Sequence, residues 1–86
     1  MRVCVMIRRF GFRRPTGGID FANQPGVVGV FGNPTLAENA MRKMYPDILY
    51  DEYGSRKYEN HYYTIPDERH GQCVFVTLFD QEIIET

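Results

Sequence analysis

At 86 residues the chain has room for one small domain and one modest core, and none for a separate catalytic domain. Its 43% hydrophobic and 24% charged residues are the balance of a folded protein rather than a disordered one, and no apolar run reaches the length of a membrane-spanning helix. The net charge of −1 is unevenly spread: seven of the ten basic residues fall in 1–46 and nine of the eleven acidic ones in 47–86, a split that suits a charged partner or head-to-tail association unless the fold intermixes the halves.

Residues 2–10, RVCVMIRRF, read as the first strand. Val3, Val5 and Ile7 alternate with Cys4 and Met6, so both faces are apolar and the strand is central. The apolar run ends at Arg8, too early for a secretory signal. Residues 11–26 carry Gly11, Pro15, Gly17, Gly18, Asn23, Pro25 and Gly26 and read as a long connection, pinned in its middle by Ile19, Asp20 and Phe21. Residues 27–31, VVGVF, are the second strand. Gly26, Gly29 and Gly32 stand at every third position, where tight turns and close packing explain them better than an anion-binding loop.

A helix follows. Leu36, Ala37, Ala40, Met41, Met44 and Tyr45 share one face of a 3.6-residue period, with Glu38, Asn39, Arg42 and Lys43 opposite and Glu38 one turn from Arg42. Asn33 caps the start with Pro34 in the first turn, in preference to a capping box of Thr35 and Glu38. Pro46 ends it at Tyr45. A helix of about 11 residues needs a sheet to hold it. The pattern predicts Leu36, Ala40, Met41 and Met44 packing on Val3, Val5, Val28, Val30 and Val76.

Beyond Pro46, 49–53 and 58–65 read as paired strands around a Gly54-Ser55 turn, and 66–71 as a polar loop. The last strand is 72–79, with Cys73, Phe75 and Phe79 facing one way and Val74, Val76 and Leu78 the other. The expected fold is a single α+β domain over 1–86, a mostly antiparallel four-stranded sheet in β-β-α-β-β order with one helix on one face. A short helix leaves the other apolar face to the 11–26 connection, a second copy or a partner, and a homodimer is expected ahead of a monomer.

Catalytic chemistry finds little to work with. Cys4 and Cys73 lie in apolar strands, where reduced, buried thiols of an intracellular protein are expected. His70 and Cys73, near His61, Asp67 and Glu68, lack a second pair at metal-ligand spacing, so neither metal nor cofactor is expected. Asp51, Glu52, Asp67 and Glu68 suit solvation better than acid–base work. The expected protein is not an enzyme.

Recognition is better served. Arg8, Arg9, Arg13 and Arg14 flank Phe10 and Phe12 around Gly11, a pattern that fits an acidic protein surface or exposed bases and phosphates, against a plain reading of Phe10 as core and the arginines as solvated. Tyr45, Tyr50, Tyr53, Tyr58, Tyr62 and Tyr63 crowd the middle third, where tyrosine suits either an interface or half-buried sheet packing. The candidate partner-binding residues are Arg8, Arg9, Phe12, Arg13, Arg14, Tyr53, Tyr58 and Tyr62.

Val28-Gly29-Val30-Phe31, a short polar link and a helix with Ala40 turned inward resemble a strand–GVF–helix motif of small phage and prophage proteins. There the motif is preceded by a strand similar to Val3–Ile7 and followed by an acidic strand similar to Phe75–Glu82. The likeness covers about half of the chain; the arginine-bearing connection and the tyrosine-rich middle depart from it. It implies a mobile-element origin, and anti-CRISPR proteins share the layout by fold-level analogy. The expected function is that of a small, non-enzymatic binding protein of phage or prophage type that occupies and inhibits a host macromolecule, in the host cytoplasm if phage-encoded. The implied partner is a host protein or ribonucleoprotein complex, without a membrane. The alternative is a nucleic-acid-binding accessory protein.

Overall fold

A computed structural model of the chain describes residues 2–22, 24–67 and 71–83. Its elements are β1 (Arg2–Arg13), β2 (Ile19–Phe21), β3 (Gly26–Phe31), α1 (Pro34–Met44), β4 (Leu49–Arg56), β5 (Glu59–Asp67) and β6 (Gln72–Glu82). The class is α+β, an antiparallel sheet with one helix, but the sheet has six strands rather than four.

The centre is the β1–β6 pair, in register from Arg2 opposite Glu82 to Phe12 opposite Gln72. β5 lies beside β6 and β4 beside β5. The other side of β1 is shared: β3 pairs with Cys4–Arg8 and β2 with Gly11–Arg13. β2 and β3 run in the same direction there, as two parts of one interrupted edge strand. Each ladder is antiparallel, so β3 and β4 run parallel at opposite edges of the sheet. Parallel strands cannot be joined by a tight turn. α1 makes the crossing over one face.

The helix follows its local chemistry. Asn33 Oδ1 accepts from Leu36 N at 2.9 Å, Pro34 opens the first turn, and Tyr45 N donates to Met41 O at 2.8 Å to close the last. Arg42 Nε donates to Glu38 Oε1 at 3.1 Å, the expected surface pair. The buried stripe, however, centres on Ala37 and Met41, while Leu36 and Met44 are exposed. The apolar stripe is wide enough to leave its centre open. Ala37, with almost no side chain, lets the backbone approach the sheet closely.

The face beneath α1 also differs from expectation. Cross-strand partners share a face, so Cys4, Met6, Arg8 and Phe10 of β1 lie with Leu78, Val76 and Val74 of β6 and with Tyr62 and Thr64 of β5. This is the core, closed by Ala37, Met41 and Ile48. Val3 and Val5 are half-buried on the opposite face, and Val30, opposite Val5, is exposed there. Only Val28 and Val76 of the expected contacts face the helix side.

Two further differences come from glycine. β1 continues through Gly11 to Arg13, and the expected 16-residue connection shrinks to a tight turn in which Arg14 N donates to Gly18 O and Gly17 N to Arg14 O. Gly11 is required there: a Cβ would come 2.8 Å from Ile19 Cγ2 and 3.3 Å from Asp20 O. Gly54 is not a hairpin turn but lies inside β4. Asp51 Oδ1 accepts from Tyr53 N and Gly54 N, bulging the strand, and a Cβ on Gly54 would stand 2.6 Å from Asp51 Oδ2. The hairpin turns instead at Lys57-Tyr58, with Tyr58 at φ 70°. Gly26 and Gly29 both lie in β3, so the glycine triplet forms no single loop.

Candidate functional site: the open face of the sheet

The alternation that puts Cys4 and Met6 under the helix puts Val5, Ile7, Arg9 and Gly11 on the other side. Phe79, Thr77, Phe75 and Cys73 of β6 accompany them in the same order, and Glu59, His61 and Tyr63 of β5 continue the rows. Among the described residues no helix crosses this face. Val27, Val30, Phe21 and Tyr63 on it are exposed, and Ile7, Phe75 and Phe79 are half-buried.

A groove of about 400 Å³ runs over the centre of this face, between Phe21 and Pro25 on one side and His61 on the other, with Ile7 and Phe75 in its floor. The ring of Phe21 leans over Gly11 and meets Phe75 edge-on, centroids 5.5 Å apart. The Arg9 guanidinium lies 4.5 Å above the Phe21 ring. Opposite, one ring nitrogen of His61 is 2.8 Å from Glu59 Oε1 and the other 3.2 Å from Thr77 Oγ1. The groove therefore has aromatic and aliphatic walls, a guanidinium at one end and an anchored imidazole at the other. It can hold large apolar side chains and orient them by a few polar contacts.

The arginine-rich motif is not one patch. Because 8–13 is a strand, Arg8 and Arg9 point to opposite faces. Arg8 is on the helix side, where its Nη1 donates to Tyr45 Oη at 3.1 Å and its guanidinium lies 4.9 Å from the Phe10 ring centre. Arg9 is in the open groove. Phe12 is exposed at the far end of the helix side, and Arg13 is exposed, its N–H donating to Gly71 O at 2.8 Å. Arg14 is tied to Asp20, with Nη2 2.6 Å and Nε 2.8 Å from Oδ1. Tyr53 is fully exposed on the β4 bulge, while Tyr58 stands in the hairpin turn beside Arg2 and Lys57. Tyr62 is buried in the core against Tyr50 and offers nothing to a partner. Its place directly opposite Val76, on the helix side, is the reason.

Of the eight sequence candidates only Arg9 lines the groove. Phe21, His61 and Phe75 were missed. The alternation of Cys73, Phe75 and Phe79 opposite the Val74–Leu78 set was the available signal, together with a single helix too short to cover both faces.

The cysteines lie on opposite faces, both buried and both free. Burial, with the nearby charge of Asp80, pushes the Cys4 thiol above its ordinary value. Burial and then the Glu38 carboxylate do the same to Tyr62. Among the described residues no three His, Cys, Asp or Glu side chains gather as metal ligands, and no helix is long and apolar enough to cross a membrane. Glu68 and His70 lie outside the described residues. No protein-family model matches the chain, and no curated protein or solved structure matches it at a level that marks relationship.

Proposed function

We propose that this is a small, non-enzymatic binding protein of phage type, which occupies and inhibits a host macromolecule through the open face of its sheet. The observation that carries the proposal is the face itself: a sheet surface with apolar side chains from β1, β2, β3 and β6, a groove at its centre and, among the described residues, no helix over it. Contiguous apolar patches mark interaction sites. Aromatic anchors flanked by an arginine are the usual high-energy elements of a protein interface. The chemistry suits a host protein that inserts a large apolar side chain beside a carboxylate, the apolar part filling the groove over Phe75 and the carboxylate meeting Arg9. A defence component, blocked in the anti-CRISPR manner, is the partner class that the phage-like motif suggests. The host cytoplasm is then its place of action.

A second reading, a nucleic-acid-binding accessory protein, has one observation in its favour. Phe21, Phe75 and Arg9 lie together on an open sheet, as a stacking platform for bases would require. Capture from bacterial lysate, with and without nuclease, separates the two. The first reading expects a protein retained after nuclease and lost with Phe75→Ser or Arg9→Ser, yet kept with Lys43→Ser on the solvent side of α1. Retention that disappears with nuclease, and direct binding of single-stranded RNA that weakens steeply with salt, would favour the second. A second copy of the chain on this face would appear as a dimer that Phe75→Ser dissociates.

A further inference from the structure

The sheet has three strands at its edges, and they are not alike. β4 carries Asp51, Glu52 and Arg56, and the Asp51 carboxylate already holds the N–H groups of Tyr53 and Gly54. β2 is three residues long and carries Asp20, paired with Arg14. Charge, bulging and shortness are the means by which proteins keep an edge from pairing with another chain. β3 differs. Its six residues, GVVGVF, hold no charged side chain and no proline. Its ladder runs to β1 alone, and among the described residues nothing pairs with its outer side. Val27 and Val30 stand 67% and 61% exposed.

We infer that β3 is the edge through which two copies of this chain pair, antiparallel, about a two-fold axis normal to the sheet. The case for a second copy rests on self-complementarity. In such an interface one short stretch meets itself in reverse, so its own residue types must suit one another. A β4–β4 pairing would oppose carboxylates, whereas β3 brings valine and glycine to valine and glycine. The chain's net charge of −1 adds little repulsion between copies.

The one irregularity of β3 serves this arrangement. The register shift between Met6 and Ile7 makes Val28 the extra residue, so that Val27, opposite Ile7, and Val30, opposite Val5, both lie on the open face. An axis normal to the sheet keeps each face on its own side. The four valines of a pair would then form one apolar strip joining the two open faces. The groove of each copy stays free and both point the same way. The dimer so formed presents its grooves to one partner surface, which raises apparent affinity without a new contact.

The test is the mass in solution of the full-length chain across micromolar concentrations, by analytical ultracentrifugation. A dimer is expected, with Val30→Lys and, independently, Val27→Lys each weakening it by about tenfold or more, since either change places two lysines in the apolar seam around the axis. Both positions are largely exposed, so circular dichroism and thermal melting should hardly move. Amide hydrogen exchange in Val27–Phe31 should slow as concentration rises, which reads the same pairing without any substitution. A monomer at all concentrations overturns the inference. So does a dimer indifferent to both lysines but dissociated by Phe75→Ser, which would place the second copy on the open face.

Discussion

The two faces of this sheet are built from the same strands, with much the same residue types, and they differ in what covers them. Beneath α1, Cys4, Met6, Val74, Val76 and Leu78 are buried under Ala37 and Met41. On the other side Val5, Ile7, Phe75 and Phe79 alternate with them along the same backbone, and no helix covers them. Strand composition alone does not distinguish the faces. What does is the one crossing that joins β3 to β4 from edge to edge of the sheet. It can pass over a single side, and that side becomes the core. The other is left open, with apolar side chains half-buried or exposed on it. A buried and an open surface are thereby separated by the thickness of one sheet.

The strongest way to break this comparison is to remove comparable apolar groups from the two sides. Met41→Ala deletes a fully buried side chain and should cost about 2–5 kcal/mol in urea unfolding. Val27→Ala, at 67% exposure on the open side, should stay within about 0.5 kcal/mol. Equal losses would mean that the open face is as much a core as the covered one.

A next, smaller effect lies where the two sides are linked. Gly11→Ala pushes a methyl into Ile19 and the Asp20 carbonyl, and should cost about 1–3 kcal/mol as β2 shifts from β1. Phe21 rides on β2, so the same change should also disturb the groove. The Phe21–Phe75 contact, followed by aromatic chemical shifts, checks it; an unchanged contact would show that β2 can yield without moving the ring.

These sites also show what was legible beforehand. The helix could be read to the residue, because Asn33, Pro34 and Pro46 act locally and nothing distant competes. The alternation of 72–79 was equally clear. Gly11 and Gly54, by contrast, read as punctuation, although each is glycine because a neighbouring chain or side chain occupies the space of a Cβ. At Gly11 that reason is tertiary, the closeness of β2, and at Gly54 it is the Asp51 side chain folded back on its own strand; together they hid the end of β1, all of β2 and the true hairpin turn. The helix-facing side could not be chosen either, since Val3-Val5-Ile7 and Cys4-Met6 are equally apolar. Only the part from Gly11 on reads as a connection, but Arg8 and Arg9, at the end of the expected strand, were grouped with Arg13 and Arg14 as one motif, so their division between faces went unseen.

Alkaline pH should act on the covered face. Cys4 and Tyr62 both hold their protons more tightly when folded than their ordinary values of 9.0 and 10.0. Below those values both states keep the proton and the full stability is present. As pH rises past them the unfolded chain ionises first, so stability falls. Urea midpoints should be level from pH 7 to 8.5 and decline above about 9, and Tyr62→Phe should reduce the decline. A midpoint that holds steady through pH 10.5 would remove both groups from the stability balance.

The smallest effects come from two adjacent residues, and they sharpen the comparison most. Arg8 faces the helix side and donates to Tyr45, while Arg9 faces the groove above Phe21. Arg8→Ala should cost about 0.5–1.5 kcal/mol by losing that hydrogen bond, and leave binding through the open face intact. Arg9→Ala should cost less than about 1 kcal/mol, the scale of an exposed cation–π contact, and weaken binding severalfold or more. Arg14→Ala, which loses only an exposed ion pair to Asp20, should change stability by about 0–1 kcal/mol and serves as the reference. Measured together by thermal melting and partner titration, the three variants should separate by face rather than by position in the chain. If Arg8 and Arg9 lose binding equally, the motif acts as one arginine patch at the strand end, and the partner reaches around the edge of the sheet instead of lying on its open side.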